Sequence, residues 1–104
     1  MIVIMVLGSI EIAEEEFESI RPAVTNMMEA SSAESGCLHY SFSRDVSKPG
    51  LFHIIERWKS EEDLGAHFQT EHMARFNATL ASVTIEKMDV RMYAGEEVRV
   101  MMQS

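Results

Sequence analysis

Apolar residues recur along this chain at two different spacings, and the order in which the two spacings alternate leaves few folds open. Helical spacing of three or four residues occupies residues 13–34 and, in two short helices, residues 60–80. Strand-like patterns occupy residues 2–10, 37–44, 51–58, 83–93 and 98–102. The main elements follow the order β-α-β-β-α-β, which is the ferredoxin-like arrangement, so the sequence predicts an α+β fold built on an antiparallel sheet.

The predicted first helix places apolar side chains on one face and glutamates on the other. Pro22 lies inside this pattern, so we expect a kink or an irregular first segment, and Gly36 ends the helix. Ser60 with Asp63 predicts the start of the second helix, and Thr70 the cap of the third. The predicted core face of the first helix consists of Phe17, Ile20, Val24, Met27, Met28 and Ser31.

The two central strands form a predicted hairpin through the turn at residues 45–50. We expect strand one to be covered on both faces. Because helices cover only one face of such a sheet, the other face needs a second sheet, and we expect a homodimer. The predicted core face of the hairpin holds Leu38, Tyr40, Phe42, Phe52, Ile54, Glu56 and Trp58. The opposite face, directed at the partner subunit, holds Cys37, His39, His53, Ile55 and Arg57.

Charge and length limit the class of protein. A formal charge of -8 disfavours binding to nucleic acid or to an anionic membrane surface. The apolar residues 1–7 lack a basic segment and are too short to span a membrane. One cysteine, Cys37, provides no internal disulfide, so we expect a cytoplasmic protein. We expect residues 1–104 to form a single domain.

The middle of the chain carries a more specific pattern. It combines Glu34-Ser35-Gly36-Cys37, Tyr40, Phe52, Glu56-Arg57-Trp58, Ser60-Glu61-Glu62, His67, His72 and Phe76. In this spacing the chain resembles the antibiotic biosynthesis monooxygenase family, and the flanking elements extend the likeness to nearly the whole chain. The resemblance implies a dimeric α/β barrel with a pocket between the sheet and the helices of each subunit. It also implies oxidation of quinol-like or polycyclic phenols by O₂ without metal or flavin.

Oxygenation without a cofactor requires the protein to deprotonate the substrate, to orient it and to exclude water. Histidine titrates near neutral pH and suits this task. We take His67 as the candidate catalytic base, with packing or capping as its alternative role. His72 lies in the first turn of its helix, where a positive charge opposes the helix dipole, so pocket and structural roles are both open for it.

The remaining pocket candidates come from the sheet and from the helical cover. Trp58 and Tyr40 have core packing as their alternative role. A buried Glu56 needs a partner, for which Arg91, Arg99 or a histidine is available. The full set of these candidates is Tyr40, Glu56, Trp58, Phe68 and Phe76.

No cofactor is expected. His67 and His72 are five positions apart, about 140° around one helix, so the pair does not present a metal site. The haem-degrading relatives use an asparagine in strand one, and residues 2–10 contain none, so we expect no haem.

Two functions remain open at this point. The first is a cofactor-independent monooxygenase, an oxidoreductase that acts on a small quinol or a polycyclic phenol. The second is a non-catalytic dimeric binding or stress-response module that holds an apolar ligand, which the nine methionines favour. Both predict a small aromatic or quinol-like ligand.

Overall fold

A computed structural model describes all 104 residues and confirms the predicted α+β arrangement. Neighbouring strands pair antiparallel in the order β2-β3-β1-β4, which is that of a ferredoxin-like sheet. The strands are β1 (Val3–Ile12), β2 (Cys37–Arg44), β3 (Leu51–Trp58) and β4 (Ile85–Gly95). The helices are α1 (Phe17–Ser32), α2 (Glu61–His67) and α3 (Glu71–Ala81).

The helices α2 and α3 begin where their capping residues predict. A 3₁₀ turn at Glu14–Glu16 precedes α1, and Pro22 lies inside α1 without interrupting it. Ser60 Oγ accepts a hydrogen bond from the Asp63 amide at 3.0 Å, and Thr70 Oγ1 accepts one from the Met73 amide at 3.2 Å. None of the three helices combines the length and the apolar character needed to cross a membrane.

The core lies between the helices and one face of the sheet. From α1 it receives the predicted residues except Met28, which is only partly buried. Alternate residues of β1 are buried, but Leu7 on the other face is 45% exposed, and its neighbour Ile55 on β3 is 44% exposed. The single chain leaves this face of strand one uncovered, so cover on both faces depends on a second sheet and stays a prediction. The core residues of β1 are Ile4, Val6, Ile10 and Ile12.

A β-bulge at the start of β2 changes the predicted hairpin faces. Cys37 pairs with Trp58 and His39 with Arg57, so Leu38 is the extra residue between them. Leu38 is consequently exposed, and Cys37 packs against the core. The prediction placed Leu38 on the core face and Cys37 on the opposite face. It is wrong for both residues because one inserted residue reverses the alternation along a strand.

The predicted last strand at residues 98–102 is wrong. Residues 96–104 form no regular secondary structure, and apolar side chains in this tail, including Val98 and Met102, are exposed. A strand forms only against the edge of another strand. Within this chain the tail pairs with none, although its composition has strand character.

Candidate active site

An apolar cavity of about 190 Å³ lies between the sheet and the helices α2 and α3. The β4 residues that line it, Met88 and Val90, are largely exposed, so the cavity opens towards the β4 edge. Its apolar lining consists of Val6, Ile10, Tyr40, Phe42, Ile54, Phe68, Met73, Phe76, Leu80, Met88 and Val90, and its polar lining consists of Glu56, His67 and Asn77.

Larger depressions occur elsewhere on the surface. Two of them, of about 320 and 410 Å³, are lined by only five and six residues and contain no histidine. Ligand sites are concave, mostly apolar and furnished with a few convergent polar groups. The smaller cavity fits this description, and we therefore take it as the candidate site.

His67 is the last residue of α2 and is almost fully buried at the cavity wall. Its ring lies 4.7 Å from the Trp58 ring and 5.5 Å from the Tyr40 ring, centroid to centroid. Its Nδ1 lies 2.6 Å from Glu34 Oε2, and its Nε2 makes no hydrogen bond to the protein. A carboxylate only accepts hydrogen bonds, so Nδ1 donates to Glu34, and in a neutral His67 ring Nε2 then keeps its lone pair.

Glu34 follows the end of α1 and holds two histidines at once. Its Oε2 accepts from His67 Nδ1 and also from His72 Nε2, which lies 2.8 Å away. Gly36 permits this close arrangement, because a Cβ at that position would overlap the Asp63 side chain in the first turn of α2. Hydrogen bonds to a charged group are worth about 1.5–3 kcal/mol, so the pair fixes both rings.

Sequence reasoning missed Glu34 as a member of the site. A signal was present, because a carboxylate just beyond a helix C-terminus faces the negative end of the dipole and requires a donor nearby. The reasoning that separated His67 from His72 was also wrong. The two residues lie on different helices, α2 and α3, so an angle measured around one helix does not describe them.

Glu56 and Trp58 form a buried pair on β3. Trp58 Nε1 donates to Glu56 Oε1 at 2.9 Å, so the hydrogen-bond partner of Glu56 is Trp58 and not one of the predicted arginines or histidines. Arg91 instead contacts Asp89. Burial raises the pKa of the Glu56 carboxyl, although the Trp58 hydrogen bond acts in the opposite direction. A neutral Glu56 can donate a hydrogen bond.

Tyr40 lines the cavity beside His67. Burial, followed by the negative charge of Glu56, raises the pKa of its phenol above the ordinary value of 10.0. The phenol therefore remains protonated at neutral pH and is available as a donor.

The structure places the predicted site residues at different depths. Tyr40, Glu56, Phe68 and Phe76 line the cavity with His67. Trp58 is fully buried beneath the His67 ring, and His72 contacts Glu34 behind it, so neither lines the cavity itself. Burial also raises the pKa of the Cys37 thiol, which does not line the cavity.

The fold and the cavity together define an α+β protein with a histidine-carboxylate pair beside an apolar pocket. The profile of the antibiotic biosynthesis monooxygenase family matches residues 3–79, and the chain belongs to this family. A crystal structure of a candidate antibiotic biosynthesis monooxygenase from Deinococcus radiodurans superposes with a TM-score of 0.84. It is 25% identical and covers 94% of this chain and 98% of that one.

Curated proteins with similar sequences include one that is named as a monooxygenase and one that is not. YcnE of Bacillus subtilis, named as a candidate monooxygenase, is 25% identical over 84% of this chain and 92% of its own length. N-terminal EF-hand calcium-binding protein 1 of Mus musculus is 28% identical over 71% of this chain. The match spans only 21% of the length of that mouse protein.

The raised pKa of Glu56 predicts a pH-dependent stability difference. A raised carboxyl pKa favours the neutral form in the folded state, so stability falls as pH rises from about the unfolded value, 4.5, through the folded pKa. Glu56→Gln stays neutral and retains an acceptor for Trp58. We expect this variant to gain stability relative to wild type as pH rises from 4.5 to 8, measured by urea unfolding.

The exposed Glu61→Gln variant controls for the loss of one negative charge. A stability difference between wild type and Glu56→Gln that stays constant with pH would contradict the prediction.

Proposed function

We propose that the protein is a cofactor-independent monooxygenase that oxidises a small quinol-like phenol with O₂. The observation that carries this proposal is the Glu34-His67 pair at the wall of the apolar cavity. With Nδ1 donating to Glu34, His67 offers an unprotonated Nε2 as general base. Family membership supports a monooxygenase-like protein, and the substrate and the residue roles are part of the proposal.

In the proposed reaction His67 Nε2 removes a phenolic proton, and the resulting phenolate becomes the electron donor to O₂. One oxygen atom enters the ring, and the other leaves as water, so a quinol and O₂ give a hydroxyquinone and water. The substrate supplies all four electrons, and the protein contributes proton transfer, orientation and exclusion of water. Glu34 acts as a positioning residue, since it fixes the tautomer and the ring orientation of His67.

The cavity favours a small substrate within this class. An apolar cavity of about 150 Å³ accommodates benzene in other proteins. At about 190 Å³ the present cavity suits a one-ring or two-ring quinol better than a polycyclic phenol, unless the latter extends past the β4 edge. The Tyr40 phenol provides a donor for a second substrate oxygen.

A non-catalytic binding module is the second candidate. Eleven of the fourteen residues that line the cavity are hydrophobic, which favours retention of an apolar ligand. Native mass spectrometry separates the two functions, because a module without turnover retains a ligand that it does not convert.

We also propose that the protein is a homodimer formed through the uncovered face of the sheet. Leu7 and Ile55 lie directly opposite each other on this face, and Tyr93 next to Met5 extends the apolar patch onto β4. Leu7, Ile55 and Tyr93 are each 44–45% exposed in the single chain. His39 and His53 lie on the same side of the sheet, where a second copy would bury them.

Oxygen consumption with one-ring, two-ring and three-ring hydroquinones tests the enzymatic proposal. We expect uptake above buffer with the smaller members, and His67→Ala to lower kcat/KM by about 10²–10⁴-fold, the contribution of a general base. Glu61→Gln, exposed at the start of the helix that carries His67 and outside the cavity lining, serves as the control and retains activity. No uptake with any hydroquinone, or a fully active His67→Ala protein, would contradict the proposal.

Multi-angle light scattering tests the dimer. A charge introduced at the centre of the apolar patch leaves an unpaired carboxylate in the interface, so we expect Ile55→Asp to shift the protein from dimer to monomer. Val46→Asp, at a fully exposed position of the β2–β3 turn, controls for the added charge. A monomeric wild-type protein, or an Ile55→Asp variant that remains dimeric, would refute this assembly.

A further inference from the structure

Three potential metal ligands converge behind the cavity. Glu34, His67 and His72 each contribute one ligand atom, and these atoms lie within 4.8 Å of one another. They come from the end of α1, the end of α2 and the start of α3. The site is therefore assembled by the fold and has to shift little to surround an ion.

We infer that Glu34, His67 and His72 form a site for a divalent transition-metal ion such as Zn²⁺. Two imidazole nitrogens and one carboxylate oxygen are a ligand set that Zn²⁺ uses with an additional open position. Ca²⁺ and Mg²⁺ prefer oxygen ligands, which makes them poor occupants. This site goes beyond the proposed oxygenase function, because its occupancy requires neither substrate nor turnover.

The surroundings favour a cation at this position. The C-terminal ends of α1 and α2 both lie beside the site and carry partial negative charge, whereas the N-terminal end of α3 at His72 carries partial positive charge. The chain has a formal charge of -8, and the side chains of Glu34 and His72 are 16% and 18% exposed, so an ion has a route from solvent. No lysine or arginine is paired with the Glu34 carboxylate, whose two close contacts are the histidines.

Metal binding and base catalysis exclude each other at His67. While Nδ1 of a neutral His67 ring donates its proton to a hydrogen bond with Glu34, Nε2 of the same ring holds a lone pair. A metal at Nδ1 takes the lone pair of that nitrogen, so the proton of a neutral ring moves to Nε2. His67 then has no free acceptor nitrogen towards the cavity. The metal-bound protein is therefore an inactive state of the proposed enzyme.

Isothermal titration calorimetry with Zn²⁺, on tag-free protein freed of metal by chelator and dialysis, tests the site. We expect one ion per chain. Glu34→Gln and His72→Ala should each lower the affinity at least about tenfold, since loss of an outer-shell partner alone costs 10–100-fold. Glu15→Gln, at an exposed position at the opposite end of α1 from Glu34, is the matched carboxylate control and keeps the wild-type affinity. Titration with Co²⁺ provides an absorption band that reports nitrogen ligation independently of heat.

Circular dichroism verifies that each variant is folded. Absence of binding by wild type, or equal binding by wild type and His72→Ala, would overturn the inference. Loss of binding in Glu15→Gln would assign the ion to another site and would overturn it equally. Because no substrate is present, these outcomes are independent of whether the protein consumes O₂. In an active protein, Zn²⁺ should additionally abolish oxygen uptake, and chelator should restore it.

Discussion

The hydrogen bond between Glu34 and His67 is the interaction on which the proposed site depends. It connects the end of α1 to the end of α2, and the second bond from His72 adds the start of α3. The three helices that cover the sheet are thereby joined at one oxygen atom. The same bond sets which nitrogen of His67 carries the proton, so a structural contact and a chemical property have a single cause.

The shape of the sheet determines where this chemistry is accessible. α2 and α3 cover the β2 and β3 side of the cavity, whereas the inward residues of β4 remain largely exposed. The opposite face of the sheet presents exposed apolar side chains at Leu7 and Ile55, beside the exposed Arg91 of β4. A patch of this kind favours association, and closure of the sheet against a second copy would leave the cavity as the accessible apolar surface.

Element order and type could be predicted from the sequence because periodicity reports which face of an element is buried. The single-residue bulge at Leu38 could not be predicted, since the alternation of apolar residues does not show where an extra residue interrupts the strand. The tail at residues 98–102 shows the same limit, because strand propensity does not provide a partner edge. In the site, His67 is identifiable as one of the two histidines of the helical cover. Its contact with Glu34 joins positions 33 residues apart and depends on how α1 ends near α2.

The central claim is that Glu34 keeps His67 in the tautomer whose Nε2 is free to accept a proton. Nitrogen-15 NMR of the histidine rings in metal-free protein at neutral pH measures this directly. The account predicts that His67 Nδ1 carries a proton and that Nε2 shows the shift of an unprotonated nitrogen, with both signals altered in Glu34→Gln. A His67 ring protonated at Nε2 and bare at Nδ1, unchanged by Glu34→Gln, would contradict it.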